Sequence, residues 1–182
     1  MAFTNSMTLI GKSILTTNTD YFEFASIPQT FTDLCLRLSV RASTTSGNSN
    51  MIIYLNGVTG TSYNWTYGEG NGSTITRSSP TAQPWFDVNN KINNEDGTWG
   101  SNTFAVCNFW IGNYTNSTFK KGVSAEYASC RNSSTGVIGG MVGTWEQTSA
   151  ITNLIVNGSN NFVTNSAAYL YGVLRTSTTT SV

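Results

Sequence analysis

The sequence predicts an all-β domain, an antiparallel β-sandwich of jelly-roll type with short polar arms, and three observations carry that prediction. The first is composition: 28 Thr, 22 Ser and 21 Asn make 71 of 182 residues. Thr favours pleated backbone, whereas Asn and Ser favour the turns between strands. The second is the apolar content, since 5 Trp, 8 Tyr and 9 Phe are too much aromatic area to leave in water. That separates the chain from a disordered Ser/Thr/Asn-rich tail. The third is periodicity: apolar residues alternate at period two between turn signals about 8–12 residues apart, the rhythm of a sandwich or jelly roll. A chain of this length is one domain, residues 1–182, and buries roughly 70% of its unfolded surface.

Taken along the chain, residues 1–8 are small, polar and poorly periodic and read as an N-terminal arm. The clearest strand covers 33–42, where Leu34, Leu36, Leu38 and Val40 alternate with Cys35, Arg37, Ser39 and Arg41. One face is thus aliphatic, and the other carries two arginines toward solvent or a partner. Residues 51–55 (MIIYL) are apolar on both faces and close on Asn56-Gly57, which reads as a central strand and a tight turn. Tyr63, Trp65 and Tyr67 alternate in the next strand, before a hairpin tip at 68–72 (GEGNG). Residues 80–100 hold two of the three prolines and a polar run, a long loop with a short strand near Trp85.

Strand pattern returns at 103–111. Ala105, Cys107, Phe109 and Ile111 share one face; Phe104, Val106, Asn108 and Trp110 share the other. Both are apolar, so one enters the core and the other meets a loop or a second subunit. Lys121, Val123, Ala125 and Tyr127 alternate with polar or small residues, and 135–146 is apolar but broken by four glycines, which mark bends or close backbone approach. Residues 151–156 and 167–174 complete about eight to ten strands, joined by a loop holding Asn157-Gly158. Residues 175–182 (RTSTTTSV) read as a C-terminal tail.

Composition excludes more functions than it suggests. Nine basic and nine acidic residues give zero net charge. There is no basic footprint for nucleic acid and no polybasic membrane patch. With no histidine, the His-dependent triads and the usual catalytic zinc site are gone. The nine carboxylates form no recognisable glycosidase pair. Glu95-Asp96, within an Asn-rich stretch, lacks the ligand order of a calcium loop, and 68–72 lacks the Lys and helix of a phosphate cradle. No enzyme, cofactor or metal site is therefore expected. Three cysteines at wide spacing, Cys35, Cys107 and Cys130, are expected as buried or half-buried thiols. The N-terminus shows neither a basic region nor an apolar run of signal length, so a cytoplasmic product is expected and six Asn-x-Ser/Thr sequons are discounted.

Several blocks resemble small virion proteins of tailed bacteriophages: 24–34 (FASIPQTFTDL), 38–41 (LSVR), 51–57 (MIIYLNG), 109–114 (FWIGNY) before Lys120-Lys121, 143–145 (GTW) with 150–152 (AIT), and 169–173 (YLYGV). The similarity runs through roughly residues 20–174, and the polar segment 89–100 departs from it. The resemblance implies a β-sandwich on the virion exterior, made in the host cytoplasm and not secreted. The favoured reading is a capsid decoration or cement protein, a homotrimer bound to the major capsid protein, with Phe104, Val106, Trp110, Arg37 and Arg41 as interface candidates. The alternative is a tail-fibre or receptor-binding module that stacks host glycans on Trp85 and Trp99.

Overall fold

The computed structural model describes residues 6–44, 49–92, 103–130 and 136–174. All twelve strands among them pair antiparallel, and no helix occurs among the described residues. In chain order they are β1 (Met7–Ile14), β2 (Thr19–Phe24), β3 (Asp33–Val40), β4 (Ser49–Leu55), β5 (Tyr63–Gly70), β6 (Ile75–Ser78), β7 (Phe86–Ile92), β8 (Ala105–Ile111), β9 (Lys121–Ser129), β10 (Val137–Trp145), β11 (Leu154–Phe162) and β12 (Ala167–Val173). An eight-stranded sheet runs β1-β12-β3-β8-β9-β10-β5-β6, and a four-stranded sheet runs β2-β11-β4-β7.

The order contains the expected jelly roll. Setting aside β5, β6, β9 and β10 leaves eight strands, ordered first-eighth-third-sixth in one sheet and second-seventh-fourth-fifth in the other. That interleaving is the double Greek key. The β5–β6 hairpin and the neighbouring β9 and β10 are additions to it, and β10 pairs with β5, so they extend one sheet beyond β8.

One core lies between the sheets. Leu34, Leu36, Leu38 and Val40 of β3 are buried as their alternation requires, and face Met51, Ile53 and Leu55 of β4, Phe86 of β7, and Leu154 and Val156 of β11. Phe86 and Phe109 meet across the gap with ring centroids 5.8 Å apart. Two glycines of β10 explain its broken pattern. A Cβ on Gly139 would lie 2.4 Å from the Tyr127 ring, and one on Gly143 would lie 2.7 Å from the Asn64 carbonyl and 2.8 Å from Phe86. Both are close approaches, as glycine inside a strand suggests.

Asn56 and Gly57 both take positive φ, 53° and 62°. They turn the chain from one sheet to the other and do not close a hairpin. Buried Tyr63 fixes the corner: its hydroxyl accepts from the Leu55 amide at 3.1 Å and donates to the Val58 carbonyl at 2.8 Å.

Several expectations need correction. Twelve strands among the described residues replace eight to ten. Met7 and Thr8 belong to β1, not to an arm, because their backbone pairs with Val173 and Gly172 of β12. Residues 68–70 extend β5 and the hairpin tip is narrowed to 71–74, where Asn71 Oδ1 accepts from the Ser73 and Thr74 amides. Asn157-Gly158 lies within β11 at an irregular register, not in a loop. Residues 86–92 form a full strand within the expected long loop of 80–100. The tail 175–182, Trp99, Glu95, Asp96 and residues 1–5 lie outside the described residues.

Candidate functional site

Each sheet turns one face to the core and one outward, and the two outward faces are built differently. On the eight-stranded sheet the register aligns outward side chains into rows. One row contains Val106 of β8, Ala128 of β9, Ile138 of β10 and Ile75 of β6. A second contains Trp110, Ser124 and Val142. Between them runs a polar row of Arg37, Asn108, Glu126 and Arg77. Val106 is 51% exposed, Ile138 71% and Val142 61%, high values for aliphatic residues on a regular strand.

The relief follows from residue size. The outward positions of β9 include Gly122, Ser124 and Ala128, while β8 and β10 on either side carry the larger apolar groups. A shallow depression of about 440 Å³ results, lined by Val106, Asn108, Glu126, Ala128 and Ile138. A second of about 310 Å³ lies by Trp110, Asp33, Gly122 and Ser124. Arg37 is exposed, and its Nε donates to Asn108 Oδ1 at 3.2 Å.

Of the five interface candidates, the structure therefore gathers Val106, Trp110 and Arg37 on one face. Phe104 lies one residue before β8 and is half-buried. Arg41 follows the end of β3 and is half-buried, with its backbone held by Ser166 and Val163. Ile138, Val142 and Ile75 were missing from the expectation. Their strands read as glycine-broken or featureless, and only the sheet order brings them beside β8.

On the four-stranded sheet the outward residues are Tyr21 and Glu23 of β2, Ile155 and Asn157 of β11, and Ile52 and Tyr54 of β4. A depression of about 390 Å³ is lined by Tyr21, Glu23, Tyr54, Gly57, Thr59, Ile155 and Asn157. Asn153 Nδ2 donates to Glu23 Oε1 at 2.7 Å. The Asn153 backbone is held in turn by Asn56 Oδ1, so the turn between the sheets also braces this site. Trp85, a stacking candidate in the alternative reading, is half-buried and meets the Tyr54 ring edge-on at 5.9 Å and 70°. It is not among the residues that line the depression, whereas Tyr21 and Tyr54 are.

Several ionisable groups are tied into the surrounding structure. Lys121 is buried and donates to the Phe119 and Thr148 carbonyls at 2.7 and 2.8 Å, and burial lowers its pKa. Glu146 pairs with Lys120 and accepts from Asn64, which together hold its carboxyl below the usual range. Burial pushes the Cys35 thiol up to about 11 and raises Cys107 as well, so both stay protonated. Cys130 is exposed, contrary to expectation, because it falls just past the end of β9. Among the described residues no group of three or more His, Cys, Asp or Glu is placed to hold a metal ion.

No family model, no curated protein and no solved structure matches the chain.

Proposed function

We propose that the chain is a bacteriophage virion structural protein without catalytic activity, a head decoration protein that docks on the major capsid protein as a homotrimer. The observation that carries this reading is the outward face of the eight-stranded sheet, where Val106, Trp110, Ile138 and Val142 stand exposed in rows. Val106, Ile138 and Val142, each more than half exposed on one sheet face, mark a surface that becomes covered. A polar row bearing both signs of charge runs between the apolar ones, and such charges set register and exclude wrong partners more than they add affinity.

Area supports the same reading. Five strands about 4.8 Å apart and seven residues about 3.3 Å long make a panel of roughly 550 Å² on one partner, about 1,100 Å² over both. That clears the roughly 1,000 Å² that a biological interface needs. Jelly rolls also occur among viral capsid and lectin domains, which is an analogy of fold and not of site. The mechanism is linkage: a protein that binds only the assembled shell stabilises that shell against heat and internal pressure.

The test is copy number and position in purified particles, by gel densitometry and imaging. Many copies spread over the head, removed by Val106→Asp with loss of particle heat resistance, are expected. A few copies confined to the tail would refute the decoration reading, and a monomer on light scattering would refute the trimer.

A further inference from the structure

We infer that the depression between Tyr21 and Tyr54, on the outward face of the four-stranded sheet, is a carbohydrate-binding site for neutral hexose or N-acetylhexosamine units. It lies on the opposite side of the sandwich from the docking face and does not depend on that reading.

A pyranose presents a face of C–H groups and a rim of hydroxyls. Recognition therefore needs a flat aromatic surface together with planar polar groups already fixed in place. Tyr21, 46% exposed, supplies an accessible ring. Tyr54 supplies a second, and Trp85 packed edge-on against it at 5.9 Å restrains its rotation. Opposed aromatic and polar groups in a depression of about 390 Å³ suit a small ligand, whose sites begin near 300 Å³.

The polar groups are preorganised. Asn153 Nδ2 occupies Glu23 Oε1 at 2.7 Å, which fixes the carboxylate plane and leaves Oε2 to accept from a hydroxyl. Asn157 lines the same depression with an amide that both donates and accepts. Groups held before binding lose little entropy when the ligand arrives. Gly57 completes the rim, and nothing lies within 4 Å of where its Cβ would stand, so that side stays open to the next sugar of a chain. The carboxylate also sets specificity. An acidic sugar would bring a like charge beside Glu23, so neutral units are favoured over sialylated or sulfated ones.

The full chain would be titrated with oligomers of glucose, galactose, mannose and N-acetylglucosamine, and with sialyllactose and heparin fragments as acidic probes. Saturation-transfer NMR and calorimetry give the readout. At least one neutral oligomer should bind in the millimolar range or tighter. Tyr21→Ala and Tyr54→Ala should each weaken it about tenfold, with the Tyr21→Ala melting curve unchanged. Trp110→Ala, on the other face, should leave it unaltered. Glu23→Gln should narrow the gap between neutral and acidic probes. Comparison of free oligomers with immobilised dextran, galactan and chitin tells a surface polysaccharide from a soluble sugar, and binding to either upholds the site. The inference fails if no neutral oligomer binds at tens of millimolar, if an acidic probe binds more tightly, or if Tyr21→Ala binds as the unaltered chain does.

Discussion

The two outward faces come from one chain and share one core, yet they present opposite surfaces. The eight-stranded sheet exposes aliphatic groups in rows over a floor of small residues on β9, and its depressions are shallow. The four-stranded sheet exposes two tyrosines with a carboxylate and amides around one depression. Inward positions of a sandwich are constrained by packing, so the outward residues are where such a protein can be specialised. Broad aliphatic rows suit a flat protein partner, whereas rings ringed by fixed polar groups suit a small polyhydroxylated one.

Removing what joins the two faces should disturb both at once. Phe109, fully buried on β8, touches Phe86 of the opposite sheet. Phe109→Ala is expected to cost about 3–5 kcal/mol, the range for a large buried aromatic. Unfolding in urea, followed by fluorescence and by circular dichroism, should stay a single transition at lower midpoint. Separate transitions would mean that the two sheets do not form one cooperative unit.

Next in size is a change that silences one face alone. Val106→Asp with Ile138→Asp places two carboxylates in the row that also holds Ala128. Partner binding should fall about 100-fold, some 2.7 kcal/mol, because each charge would be desolvated at the interface. Both sites are exposed, so unfolding free energy should move by only about 0.5 kcal/mol per site. A shell-binding assay beside a denaturant titration separates these effects.

The docking face was half legible in the sequence, and the reason is register. The alternation of β3 and β8 is local, and it placed Leu34, Leu36 and Leu38 inside and Val106 and Trp110 outside without any structure. β1 escapes a period-two reading because the register shift between Leu9 and Gly11 breaks its alternation. β6 carries no such pattern, because all four of its residues are exposed. Ile138 joins Val106 only through the order β8-β9-β10, which connects residues far apart in the chain. The tyrosine depression draws on β2, β4 and β11, three strands whose outward residues are each unremarkable alone. Trp85 stands out as a tryptophan in a loop-rich segment, and neither type nor position along the chain reveals that its ring meets Tyr54 edge-on.

Asp87 lies on the same outward face of the small sheet, at its β7 edge opposite Ile52. Burial pushes the Asp87 carboxyl up to about 6 from 3.8, against the opposing pull of the Asn50 amide, which donates at 2.8 Å. Its second oxygen, Oδ1, is buried without a partner among the described residues. A carboxyl raised on folding binds more protons folded than unfolded, so its contribution to stability falls as pH rises from about 4 to about 6. Asp87→Asn keeps the acceptor for Asn50 and removes the charge. The variant should gain on the order of 2 kcal/mol at pH 7 and nothing at pH 4. Denaturation across that range would show it, and an equal gain at both pH values would place the cause elsewhere.

The smallest effect distinguishes a ring that binds from a ring that supports. Trp85 contacts the Tyr54 ring edge-on, while its backbone carbonyl accepts from Trp65 Nε1 at 3.2 Å. A side-chain substitution leaves that carbonyl in place. Trp85→Leu therefore removes chiefly the edge contact, about 0.5–1.5 kcal/mol for such a pair. Sugar affinity should fall about threefold, through loosening of Tyr54, against about tenfold for Tyr21→Ala. Calorimetry on the two variants with the same neutral oligomer decides the matter. If Trp85→Leu were the more damaging change, the indole itself would be the stacking surface and the tyrosines its frame.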